Sequence, residues 1–136
     1  DTDFEVIGTP SDSTNKKLDT DSGRITISKH IMHLHAFKTP TVRNIGITAP
    51  YMHNGVYKNL DQVLAFYKKG GGIGFGFDLP HQTLPFDTLV LSQVELKDIK
   101  SFLFALTDTS SVPPRPKRLP KFNSAELDKR KIGGEY

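Results

Sequence analysis

The sequence predicts a mostly α chain with long ordered loops and an extended C-terminal tail. Three observations carry this expectation. Two segments combine an N-cap signal with an apolar stripe at helical spacing, one opening at Asn59 and one at Ser92. Strand-like alternation is short at Ile25 and Ile27, and over 77–91 it is interrupted by two prolines. The 11 glycines and 9 prolines of the 136 residues, with 36% apolar content, leave a thin core and much connecting chain.

Residues 1–36 form a polar loop region. TPSDSTNKKLDTDSG has little to bury and reads as a surface loop, and GRITISKHIMHLHAF follows with its short Ile25/Ile27 strand signal. In the next segment Pro40 and Pro50 fix φ and push Thr39 and Ala49 toward extended backbone, which predicts an ordered, extended connection between them. Asn54-Gly55 is a turn pair, since both residues tolerate positive φ. Asn59 then reads as an N-cap with Gln62 in capping-box position. The helix that follows, 60–69, places Leu60, Val63, Leu64 and Tyr67 on one face. Lys68 and Lys69 suit its C-terminal dipole, and Gly70 ends it.

Five glycines lie within 70–76. Periodicity alone reads this unit as a core tyrosine followed by a loose loop. The alternative is a backbone that passes close to something, beside a Tyr67 hydroxyl in need of a partner. Residues 77–91, with two prolines, read as an ordered loop over a core. Ser92 and Glu95 form a second capping box, and Val94, Leu96, Ile99, Phe102, Leu103 and Leu106 give a wide apolar face. Residues 111–136 are rich in Pro and Lys/Arg and read as an extended basic tail.

The chemistry the sequence excludes is broad. Without cysteine there is no disulfide, thiolate metal site or Cys nucleophile. A net charge of +3 suits an acidic protein partner or a solvated surface better than nucleic acid, and the basic tail lacks the interleaved aromatics of single-strand binding. No apolar run reaches transmembrane length. The glycine run is not a P-loop, because it ends a helix and no Gly-Lys-Ser/Thr follows. No nucleophile elbow occurs, and Asp78, Asp87, Glu95 and Asp98 show no glycosidase-like pairing. His30, His33 and His35 cluster, but their spacing suits neither helix nor strand geometry, and no carboxylate at matching spacing supports a metal site.

FKTPTVRN, then TAPYMHNG, NLDQVLAFY and a glycine run together resemble the C-terminal part of the bacterial di-haem cytochrome c peroxidase and MauG family. GRITIS resembles that family's lead-in, and FLFALTD its closing helix. The resemblance spans roughly residues 20–110, and LPKFNSAELDKRKIGGEY looks like the end of a long-form member. It implies a cytochrome c-like fold, with 37–110 as the C-terminal part of a peroxidase-like domain.

Carried over position by position, the residue fourteen after His53 is the distal ligand of the electron-transferring haem, here Tyr67 rather than the Met usual in peroxidases. Met52 lies nearby but occupies a variable turn position. Thr48 and Pro50 match positions whose main-chain carbonyls bind calcium, for which carbonyl oxygen is a suitable hard ligand. His53 matches a turn histidine near the haem–haem interface, and Arg43 is a propionate or interface partner.

The family attaches haem through Cys-x-x-Cys-His, which this sequence lacks. The resemblance therefore implies a C-terminal portion working with a haem-bearing partner, either upstream in the same protein or on a separate chain, and inactive by itself. The implied function is hydrogen peroxide reduction or MauG-like oxidation. The implied cofactors are two haem c groups and calcium. A small electron donor, a cytochrome c or cupredoxin, and a periplasmic or envelope location complete what the resemblance implies. The rival reading is a haem-less binding or scaffold module that kept the fold.

Overall fold

The computed structural model describes residues 4–85, 87–110, 113, 121 and 123–128. It contains helices joined by long loops and one small antiparallel sheet. Strand β1 (Phe4–Val6) pairs with β2 (Ala36–Lys38), setting Val6 opposite Ala36. Both side chains leave the same face and are almost fully buried, against Leu79. Phe4, Leu18, Ile73 and Phe77 complete this first core. The loop after residue 77 is laid over it as expected. Thr83 closes the contact: its Oγ1 accepts the Val6 N–H at 3.0 Å and its own N–H donates to the Val6 carbonyl at 3.0 Å.

The polar stretch is exposed over 11–14 and 16–17, as its polarity predicts, but it is anchored to the fold at one corner. Thr9 and Pro10 are buried, and Pro10 bridges Leu18 so that residues 9–19 fold back on themselves. The Ile25/Ile27 alternation is not a strand. It forms a one-turn helix, α1 (Ile25–Ser28), with Ile27 86% exposed. A two-residue alternation is too short to compete with the local i→i+3 and i→i+4 bonds that Gly23 and Arg24 offer. The span between Pro40 and Pro50 is ordered, but it coils into a 3₁₀ turn at Ile45–Ile47 instead of staying extended.

Helix α2 (Leu60–Lys68) forms as its caps dictate. Asn59 has extended backbone, and its side chain accepts the Gln62 N–H at 3.0 Å. Gln62 reaches one residue past the cap, accepting the Lys58 N–H at 2.7 Å. Gly70 ends the helix at φ 91°, a conformation that favours glycine. The buried stripe is Leu60, Val63 and Phe66. Tyr67 and Leu64 flank it half-buried, so Phe66 holds the central position expected for them. Tyr57, Val63 and Phe66 form a second core, ringed by Ile7, Tyr51, Met52, Val56, Tyr67 and Phe75. Burying a side chain the size of Phe66 stabilises by about 1.5–3 kcal/mol.

The glycines after α2 are neither loose nor open to a ligand at 70–72. Residues Gly71–Gly74 form a short helix, α3, whose start is buried against β1 and the residues after it. The Gly72 N–H donates to the Ile7 carbonyl at 2.8 Å, and a Cβ on Gly72 would lie 2.7 Å from the Cα of Gly8. The close neighbour is this chain's own backbone.

Helix α4 (Gln93–Ala105) carries the full capping box: Ser92 accepts the Glu95 N–H, and Glu95 accepts the Ser92 N–H at 2.8 Å. It touches α2 through Lys100 and Asp61 (2.7 Å), and its Phe104 ring lies over Gly46. No residue of α4 is buried. The basic tail lies mostly outside the described residues. Within it Ala125–Asp128 is a helical turn, α5, where extended chain was expected.

Candidate functional site

Of the side chains singled out above, Tyr67 and Met52 pack on the second core, His53 lies in the turn that leads into it, and Arg43, Thr48 and Pro50 lie elsewhere. The backbone doubles back between Tyr51 and Tyr57, which bridge each other. Met52 and Gly55 take the positive φ angles (69° and 66°) that close the turn, and Asn54 does not. Asn54 uses its side chain instead. Its Oδ1 accepts the Val56 N–H, and its Nδ2 donates to the Pro10 carbonyl and to Asp19 Oδ2.

Three tyrosines surround this core, and their hydroxyls differ. Tyr51 donates to the Ile45 carbonyl at 2.7 Å. Tyr57 donates to Asn15 Oδ1 at 2.7 Å, and burial pushes its phenol up to about 12. Tyr67 packs edge-on to Phe66, with ring centroids 5.6 Å apart, and burial raises its phenol as well. Among the described residues no hydrogen bond engages the Tyr67 hydroxyl. The Tyr67 oxygen is not sealed from solvent, since Arg24 Nε is the one buried side-chain N or O atom without a partner among the described residues, and it is open to an external group such as a metal ion. Met52 packs on the same core.

His53 sits in the turn beside Met52 but faces elsewhere. Its ring stacks on Phe37 at 3.5 Å between centroids, with planes 7° apart. Its Nε2 lies 3.2 Å from Asp19 Oδ2, and its side chain is 17% exposed. Arg43 is on another surface. Its guanidinium meets Asp108 at 2.6 Å, past the end of α4, where Asn44 also accepts the Asp108 N–H. Thr48 and Pro50 are exposed, and no hydrogen bond among the described residues ends on either carbonyl. Two free, hard carbonyl oxygens on one ordered segment suit calcium, with the remaining ligands to come from elsewhere.

The histidine cluster is employed locally. His30 Nδ1 accepts the Met32 N–H, His33 Nδ1 lies 2.9 Å from Ser28 Oγ, and His35 Nδ1 lies 2.7 Å from the Asp21 carbonyl. Among the described residues no group of three or more His, Asp or Glu side chains is placed to hold a metal. Asp19 and Phe37 escaped sequence reasoning, and Asn54 was legible as a turn residue but not as a partner of Asp19. DTDSG does carry a local signal: Asp19 accepts the Asp21 N–H and Asp21 the Gly23 N–H, two successive Asx turns. Nothing local in it points to a histidine 34 residues on.

No family model matches the chain. It is 35% identical over 105 residues to cytochrome-c peroxidase IdrP1 of Denitromonas iodatirespirans, covering 77% of this chain and 27% of that protein. It is 43% identical over 88 residues to IdrP2 of the same organism, covering 65% and 22%. A 33-residue stretch is 52% identical to the methylamine utilization protein MauG of Paracoccus denitrificans, covering 24% and 8%. The crystal structure of a MauG-like protein associated with microbial copper homeostasis superposes with a TM-score of 0.64 at 24% identity, covering 79% of this chain and 35% of that one. The chain thus spans about a quarter of the length of the curated peroxidases it matches. Among the described residues no helix is long and apolar enough to cross a membrane.

Proposed function

Because the chain belongs to the MauG and di-haem cytochrome c peroxidase family, we propose that it supplies the distal axial ligand of the electron-transferring haem and part of the region between two haems. The observation that carries this reading is the Tyr67 hydroxyl, the one of three tyrosines on a single core that lacks a hydrogen bond among the described residues.

Haem c, when bound, supplies the electron transfer and peroxide chemistry. The residues of this chain set its surroundings. Tyr67 offers a hard oxygen donor, which favours ferric iron and a lower potential than a Met thioether would give. Phe66, packed against Tyr67, fixes the phenol ring on the helix face. The Tyr67 phenol, protonated at neutral pH already at its ordinary value of 10.0, is raised further by burial, so its phenolate needs a nearby cation. His53 and Arg43 would serve as propionate or interface partners, and the Thr48 and Pro50 carbonyls would hold calcium. Residues 37–110 form the C-terminal part of the peroxidase-like domain, preceded by the 1–36 lead-in and followed by the tail.

The partner is the haem-bearing part of the same protein or a separate chain. A small cytochrome c or cupredoxin is the electron donor, in the periplasm or cell envelope. The reaction is hydrogen peroxide reduction or MauG-like oxidation of a partner, and an oxygen ligand favours the second. A redox titration of the haem-loaded protein with Tyr67→Met tests the assignment. The potential of one haem should rise toward that of a Met-ligated centre. An unchanged potential would reject it, and the absence of a Soret band in the purified full-length protein would favour the haem-less scaffold.

A further inference from the structure

The His53 turn is pinned from outside by one carboxylate. Asp19 Oδ2 faces His53 Nε2 at 3.2 Å and accepts the Asn54 amide N–H, while Oδ1 accepts the Asp21 N–H at 3.0 Å. The Asp19 main-chain N–H donates to the Thr9 carbonyl at 3.0 Å, which anchors the carboxylate to the buried Thr9–Pro10 corner. The Asp21 N–H above all, then the Asn54 amide and His53, hold the Asp19 carboxyl below its usual range, so it is ionised at neutral pH.

An ionised carboxylate only accepts, so it requires a hydrogen on Nε2 and leaves Nδ1 as the ring's other hydrogen-bonding atom. Among the described residues no hydrogen bond reaches Nδ1. Phe37 covers one face of the ring, so the ring cannot rotate without losing that stack. Met52 and Tyr51, in the same turn, pack on the core that carries Tyr67. The placement of the turn and the placement of Tyr67 are therefore one packing problem.

We propose that Asp19 is a positioning residue of the Tyr67 site, acting through His53 and Asn54 to fix the turn and the hydrogen-bonding state of the imidazole. This rests on Tyr67 as the haem ligand. Asparagine at position 19 would keep the size but lose the charge, and would set its NH2 either against the Asp21 N–H on the Oδ1 side or against both donors that now converge on Oδ2. Glutamate keeps the acceptor and the charge.

The test uses the full-length, haem-loaded protein with Asp19→Asn, Asp19→Glu, His53→Gln and the Asp19→Asn/His53→Gln double variant. The readouts are the ferric-to-ferrous ratio of the Tyr67-side haem at a fixed ambient potential and the melting temperature. A turn no longer held by Asp19 places the Tyr67 oxygen less well, and a weaker hard donor disfavours ferric iron, so Asp19→Asn should lower the ratio about fivefold, in the usual range for coupling between sites. Asp19→Glu should restore most of it. In the His53→Gln background Asp19→Asn should add little, because the two residues act as a unit. An equal shift in both backgrounds would mean a charge acting at a distance and would overturn the proposal. So would a lowered melting temperature with an unmoved ratio, which marks a purely structural role. Tyr67→Phe separates the two levels: an unaltered haem spectrum rejects the ligand reading and this inference with it. An altered spectrum with a ratio indifferent to Asp19 rejects this inference alone.

Discussion

Helices α2 and α4 begin from the same kind of sequence signal and end in different surroundings. Each has a polar N-cap, a partner three residues on and an apolar stripe. On α2 the stripe meets Tyr57, Ile7 and Phe75 and buries Leu60, Val63 and Phe66. On α4 nothing is buried, with Val94 68% and Phe102 62% exposed, although the helix is the longer of the two. Capping and periodicity specify a helix. Whether its apolar face is covered depends on what else is present, and for α4 that surface is not supplied by the described residues. Exposed Ile27, Ile31, Val42, Ile47 and Val90 extend the same deficit.

The largest effect separates the two helices directly. Phe66→Ala should cost about 3–5 kcal/mol in any length of the protein, because it opens a cavity in a filled core. Phe102→Ala in the 136-residue chain should stay within about 0.5 kcal/mol, as for a surface substitution. In a full-length protein whose remaining part covers α4 it should cost clearly more. Urea unfolding of both variants in both lengths checks this. Equal costs in the short chain would break the comparison.

The next effect concerns the glycines that let α3 meet the N-terminal segment. Gly72→Ala would set a methyl 2.5 Å from Leu79 and 2.7 Å from Gly8, so overpacking of about 1–3 kcal/mol is expected. Gly76 has open space around a Cβ, and its cost should come from its φ of 89° alone. Thermal unfolding of the two variants distinguishes them.

Legibility in the sequence followed the distance over which a signal acts. The caps at Asn59 and Ser92, the Gly70 stop and the turn before Tyr57 were legible, because each is decided within four residues. Pairing of β1 with β2 was not, since two three-residue strands some thirty positions apart carry no signal of each other. Burial of Thr9 and Pro10 was hidden by their polar neighbours. An apolar stripe passes as readily through Tyr67 as through Phe66, one residue around the helix, and only the fold decides between them. Of the candidate site, Tyr67, His53 and the Thr48–Pro50 carbonyls came from motif resemblance, while Asp19 required the fold.

The smallest effect is electrostatic. Asp108 is lowered to about 2, first by the Ser110 hydroxyl and main-chain N–H and then by Arg43. Asp19 is lowered as well. A depressed carboxyl contributes stability that is present above its ordinary value of 3.8 and lost as pH falls through its folded value. The Arg43–Asp108 clamp at the end of α4 should therefore persist at pH 4 and open as the pH approaches about 2. Carboxyl-carbon NMR titration reads both groups. A normal Asp108 titration would remove the clamp from the account.

The most direct measurement is the absorption spectrum of the full-length, haem-loaded Tyr67→Phe variant beside Tyr57→Phe. Tyr67→Phe keeps the ring on α2 and removes only the oxygen, so stability should change little. One haem should lose its sixth ligand or take up water, with a clear change in its bands. Tyr57→Phe, which breaks the bond to Asn15, should cost some stability and leave the bands alone. The reverse pattern, with spectra indifferent to Tyr67 and a stability loss in its place, would contradict the assignment of Tyr67 as the haem ligand.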